Sequence, residues 1–79
     1  MDKATFYTVM ENQVTANGNY ALLYNHYDDL NLALAKYYTI CAAAALSDIP
    51  YHAAHIMASE GYMLEYRIFD RRTPEAGVE

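Results

Sequence analysis

The fold is decided by ten consecutive uncharged residues, YYTICAAAAL, at positions 37–46. Apolar residues recur there at helical spacing, and the run of alanines leaves every side of the predicted helix apolar or small. A helix that is apolar all round is normally buried all round, whereas one sheet can cover only one of its sides. We therefore expect Tyr37–Leu46 to pack against a second copy of the chain, which makes the protein a homo-oligomer.

The ends of this helix carry clear signals. Asp28 or Asp29 is suited to the N-cap, because a carboxylate accepts hydrogen bonds from the free backbone N–H groups and favours the positive helix end. Pro50 restricts the residue before it to extended angles, so the helix should end at about Ser47.

A hairpin is predicted before the helix. Residues Thr5–Thr15 are rich in β-branched and aromatic types, and Tyr20–His26 follow as a second strand. Asn17-Gly18 between them is typical of a two-residue type I′ turn. That turn predicts three cross-strand pairs, namely Val14–Ala21, Asn12–Leu23 and Glu11–Tyr24.

A second hairpin is predicted after the helix, with strands Tyr51–Ala58 and Tyr62–Asp70 around Glu60-Gly61. A two-residue loop predicts the pairs Met57–Leu64, His55–Tyr66 and Ala53–Ile68. It also predicts that one sheet face carries His52, Ala54 and Ile56 beside Phe69, Arg67, Glu65 and Met63. A slip of one residue would exchange the two faces.

The predicted order is ββαββ, an α+β domain with one central apolar helix packed on an antiparallel four-stranded sheet. We expect a single domain over residues 1–72 and a flexible C-terminal tail over residues 73–79. A chain of 79 residues buries only about 60% of its unfolded surface, which again favours assembly with other copies.

Composition excludes several classes of protein. Hydrophobic residues make up 54% of the chain, too many for a disordered tail, and the net charge of −5 disfavours general nucleic-acid binding. A single cysteine cannot form an internal disulfide, which favours a reducing compartment. No apolar run approaches the roughly 20 residues of a membrane span. We expect a cytoplasmic protein that does not bind membranes.

The residue types that could support catalysis or bind a metal do not have the spacing that either function needs. His52 and His55 are three apart on one predicted strand and point to opposite faces, so no metal site is expected. Cys41 on an apolar helix should behave as a small hydrophobic residue with a raised thiol pKa. We predict no enzymatic activity and no cofactor.

The C-terminal part of the chain contains a cluster that suits a ligand. Three of the five basic residues lie within positions 67–72, beside aromatic rings. Guanidinium groups bind phosphates through paired hydrogen bonds, and aromatic rings stack on bases. These types predict a site for a small anionic, nucleotide-like ligand. The alternative is that Arg67 pairs with Glu65, Asp70 or an acid of a neighbouring subunit, and that Arg71-Arg72 belongs to a solubilising tail. The candidate ligand-binding residues are Arg67, Phe69, Arg71, Arg72, His52, Tyr51 and Tyr66.

About half of the chain resembles a known group of sequences. The segments KYYTICAAAA (36–45), IPYH (49–52) and RIFDRR (67–72), together with Ser47, are similar to short open reading frames of phages, prophages and mobile elements of gut Firmicutes. The resemblance implies a viral or mobile-element origin and action in the cytoplasm of a bacterial host. The chain is also similar in kind to phage anti-Thoeris and anti-CBASS proteins, oligomers that sequester cyclic nucleotide signals between subunits.

Together these observations predict a non-enzymatic counter-defence protein that sequesters a nucleotide-like immune signal in pockets between subunits. One alternative is an acidic protein–protein inhibitor of a host defence protein or nucleic-acid-processing protein, because the surface is acidic. Another is a structural component of the virion.

Overall fold

The computed structural model describes residues 6–72, and within them it confirms the order ββαββ. The elements are listed here in chain order: β1 Tyr7–Val14, β2 Tyr20–Tyr27, α1 Leu30–Leu46, β3 Tyr51–Ala58 and β4 Met63–Asp70. The predicted tail over 73–79 and the predicted strand start at Thr5 lie outside the described residues.

The four strands form one antiparallel sheet in the order β2-β1-β3-β4. The two hairpins therefore join through β1 and β3, which pair with Glu11 opposite Ala54 and Val9 opposite Ile56. The helix packs mainly on these two central strands. Val9, Ile56 and the helix residue Tyr37 are the largest fully buried side chains, so the core lies between α1 and the middle of the sheet.

The helix has the ends that its sequence predicts. Asp29 is the N-cap, and its carboxylate accepts a hydrogen bond of 2.8 Å from the backbone N–H of Asn31. The C-cap is Ser47, whose N–H donates to the carbonyl of Ala44. Only one side of α1 is buried, and the other side leaves Tyr38 and Leu46 exposed, Leu46 to 90%.

The first hairpin differs from its prediction by one residue. Val14 pairs with Tyr20, and the other two observed pairs are Asn12–Leu22 and Glu11–Leu23, so the predicted register was wrong. The loop has three residues: the N–H of Gly18 donates to the carbonyl of Thr15 at 2.9 Å, and only the glycine has a positive φ, 86°. A type I′ turn needs a positive φ at both central residues, and Asn17 does not adopt one.

The second hairpin has the same kind of loop, with Gly61 at φ 104° donating to the carbonyl of Ala58. A β-bulge next to this loop restores the predicted register further along the strands. The pairs His55–Tyr66 and Ala53–Ile68 are confirmed, whereas Met57 pairs with Met63 rather than with the predicted Leu64. The bulge leaves Leu64 as the extra residue of β4, and Leu64 packs against the core.

The two sides of the sheet are named here by their relation to the helix. The covered face carries Ala54 and Ile56, which contact the core of α1. Side chains alternate along a strand, so Ala53, His55 and their cross-strand partners lie on the opposite, open face. Met63 was predicted for the face of Ile56, and its pairing with Met57 places it on the open face instead.

The loop geometry distinguishes two neighbouring substitutions. We expect Gly18→Ala to lower the free energy of unfolding by about 1 kcal/mol, because a Cβ strains a backbone with a positive φ. Asn17→Ala should change it by less than about 0.5 kcal/mol, since Asn17 needs no such φ. Urea unfolding of both variants measures the difference, and equal losses would contradict the three-residue loop.

Candidate ligand groove

A groove lies between the helix and the outer strand β4. It exists because α1 packs over β1 and β3 and makes few contacts with β4. Its volume is about 350 Å³. The residues that line it include Tyr37, Tyr38, Cys41, Leu64, Glu65 and Arg67.

The wall formed by the helix is aromatic and polar. The hydroxyl of Tyr38 donates to Glu65 of β4 at 3.4 Å, so the two elements meet across the groove. Tyr37 is buried beneath, and burial together with a hydrogen bond to Cys41 raises the pKa of its hydroxyl well above the usual value. The raised pKa keeps the Tyr37 hydroxyl protonated at neutral pH.

The wall formed by β4 carries one cation, Arg67, beside the carboxylate of Glu65. The guanidinium of Arg67 lies 5.5 Å from the centre of the Phe69 ring, within the range of a cation–π interaction. Within residues 6–72 Arg67 forms no ion pair. Its guanidinium therefore retains donors that can bind an anion in the groove.

The guanidinium of Arg71 also lies 5.5 Å from the centre of the Phe69 ring. The same guanidinium donates to the carbonyls at the end of the helix, at 2.6 Å to Ala44 and 3.2 Å to Ala45, and to Ile49 at 3.2 Å. The last turn of α1 contains no basic residue of its own. Arg71 thus supplies, from the strand end, the positive charge and donors that a helix C-terminus favours.

The remaining arginine belongs to the opposite side of the sheet. Arg72 pairs with Asp70 at 2.9 Å and lies 4.7 Å from the centre of the Tyr51 ring. Hydrogen bonds from Arg72 lower the pKa of Asp70 to about 2. The alternative reading of the arginine cluster predicted Asp70 as a partner of Arg67, whereas the structure pairs it with Arg72.

His52 has a protein partner of its own on the covered face. It is 3% exposed, and its Nε2 hydrogen-bonds with the carboxylate of Glu11 on β1. Burial by itself would raise the pKa of Glu11, but the hydrogen bonds to His52 and Gln13 outweigh it and lower that pKa. A buried, partnered histidine ties β1 to β3 and is not directed at the groove.

The seven predicted ligand residues therefore separate into two groups. Arg67, Phe69, Arg71 and His52 belong to the covered side, as the strand alternation predicted for three of them. Tyr51 and Arg72 are on the open side. Tyr66 borders the groove, although its ring stacks on His55 of the open face with the centroids 6.1 Å apart.

Six groove residues were not predicted as ligand residues from the sequence, namely Tyr37, Tyr38, Cys41, Met63, Leu64 and Glu65. The two tyrosines precede the alanine run and could have been singled out as the large rings next to a small helical surface. Cys41 and Glu65 carry no such signal, because the groove depends on how the helix lies across the strands.

Among residues 6–72, no group of three or more potential metal ligands is present. No helix in that part of the chain is long and apolar enough to cross a membrane.

Comparison of the chain with protein-family models, curated proteins and solved structures gave no match.

Arg71 and Arg72 form a matched pair for testing which arginine is structural. We expect Arg71→Ala to lower the free energy of unfolding by about 1–2 kcal/mol, because three carbonyls lose a charged donor. Arg72→Ala should have little effect, since its pair with Asp70 is exposed to solvent. Thermal or urea unfolding measures both, and an unaffected Arg71→Ala variant would contradict the capping role.

Proposed function

We propose that this chain is a non-enzymatic phage or mobile-element protein that sequesters a small nucleotide-like signal inside a bacterial cell. The observation that carries the proposal is Arg67, which borders an open groove between α1 and β4 and forms no ion pair within residues 6–72. An arginine with available donors beside aromatic rings matches a ligand that combines a phosphate with a planar base.

The size and chemistry of the groove support a small ligand. Its volume of about 350 Å³ lies at the lower end of the range for small-molecule pockets. The exposed ring of Tyr38 offers a stacking surface, and the carboxylate of Glu65 can accept hydrogen bonds from amino or ribose hydroxyl groups. A cation and a carboxylate two residues apart on one strand suit a nucleotide better than an inorganic anion.

Self-association would complete this groove. Tyr38 belongs both to the groove and to the exposed outer side of α1, where Ala42 and Ala45 leave room for a close approach. A second copy that packs on Tyr37–Leu46 once a ligand is bound would cover the groove and exclude water from that ligand. Tyr51 and Arg72 lie on the opposite side of the sheet, so they take no part in the proposed site.

Isothermal titration calorimetry tests the proposal with cyclic dinucleotides, cyclic trinucleotides and cyclic ADP-ribose isomers. We expect one class of ligand to bind, and Arg67→Gln to weaken its binding about tenfold or more, which is the loss of one charged hydrogen-bonded contact.

Lys36→Gln is the control. Lys36 lies on the helix and carries the same charge as Arg67, but it helps to lower the pKa of Glu11 on the covered face and does not line the groove. The substitution should leave the affinity unchanged. Absence of binding for the whole panel to the folded protein would overturn the proposal, and equal losses in both variants would remove Arg67 from the site.

A further inference from the structure

A broad apolar surface of the subunit is the open face of the sheet, on the side away from the helix. Its four strands place rows of side chains across the sheet, for example Leu22, Asn12, Ala53 and Ile68 in one row. The next row consists of Tyr24, Met10, His55 and Tyr66. Six large side chains of this face are 44–63% exposed: Tyr20, Leu22, Tyr24, Met63, Tyr66 and Ile68.

We infer that this open face is the contact surface for a second copy of the chain, which packs its own open face against it as a β-sandwich. The inference concerns the opposite side of the sheet from the helix, where only Met63 and Tyr66 of the proposed contact residues also border the groove, and it does not rest on ligand binding. Two antiparallel sheets pack face to face about 10 Å apart, with the side chains of the two inner faces interdigitated.

The area of the face is sufficient for such a dimer. A fully exposed large side chain presents roughly 150–200 Å², so the six half-exposed side chains offer on the order of 500 Å² per subunit. Two copies would together bury about 1,000 Å² from these residues alone, which is the lower limit for a specific interface. The partly exposed Met10, Met57 and Val14 between them add to that area.

The distribution of charge favours a second copy of this chain as the occupant. The chain has a net charge of −5, so two copies repel each other through most of their surface. Among the described residues, Asp70 is the one acidic residue whose strand position puts it on the open face, and Arg72 neutralises it. The open face is therefore the large surface through which two copies meet without placing like charges together.

The shape of the open face also suits packing against the same face of a second copy. The small Ala53 is completely buried in the middle of the open face, so the surface is low there. The outer strands carry large exposed rings at Tyr20, Tyr24 and Tyr66. Burial lowers the pKa of His55, so the centre of the face already disfavours a charge. Rings that project at the margins of a low, uncharged centre can interdigitate with the same surface of a partner related by twofold symmetry.

Leu22 and Leu23 provide a matched test, because they are adjacent on β2, similarly exposed and on opposite faces of the sheet. Sedimentation equilibrium without any ligand should give twice the chain mass of 9.0 kDa for the wild type and for Leu23→Lys. Leu22→Lys should dissociate at least tenfold more readily, since a lysine would be buried in the interface. Circular dichroism confirms that each variant is folded, and Ile68→Lys serves as a second open-face variant if Leu22→Lys does not fold.

Leu46→Lys separates this contact from the helix contact of the proposed function, because Leu46 lies on the outer side of α1. A monomeric wild type would overturn the inference. The inference would also be overturned if Leu46→Lys or Leu23→Lys dissociated the dimer. In that outcome Leu22→Lys and Ile68→Lys would remain dimeric. Since no ligand is present in this measurement, its outcome is independent of the calorimetric test.

Discussion

The structure depends on one constraint: a sheet has two faces, and this chain has one helix to cover them. Packing of α1 on β1 and β3 buries Tyr37, Val9 and Ile56 and leaves the other face of the sheet in contact with solvent. Burial of apolar area is the main favourable contribution to folding, so an exposed apolar face represents stability that an isolated subunit cannot obtain. A small domain buries too little apolar area to compensate for such a face, and association between copies is a common way to cover it.

The same constraint explains the positions of the charged residues. The helix lies over the central strands, and Arg71, just after β4, reaches the carbonyls of its last turn. Between the two hairpins, the buried pair of Glu11 and His52 connects β1 with β3. Arg67 is left at the border of the groove because the helix does not extend over the outer strand. Arg71 thus stabilises the fold, whereas Arg67 remains available to a ligand.

Much of this architecture could be predicted from the sequence. Strand and helix order, the N-cap at Asp29 and the shared face of Arg67 and Phe69 follow from local residue types and from alternation along a strand. The first register could not be predicted, because it depends on whether Asn17 adopts a positive φ, and the sequence permits either loop. The order of the strands and the groove were also not predicted, since they require contacts between residues far apart in the chain.

The central claim is that the open face is covered in the assembled protein, and solvent accessibility of methyl groups measured by NMR tests it most directly. A soluble paramagnetic probe broadens the signals of methyl groups in proportion to their contact with solvent. The subunit alone exposes Leu22, Leu23 and Ile68 to similar extents. The account predicts that the unmodified protein protects the methyl groups of Leu22 and Ile68 while leaving those of Leu23 broadened. Equal broadening of all three would show that the face remains open to water and would contradict the account.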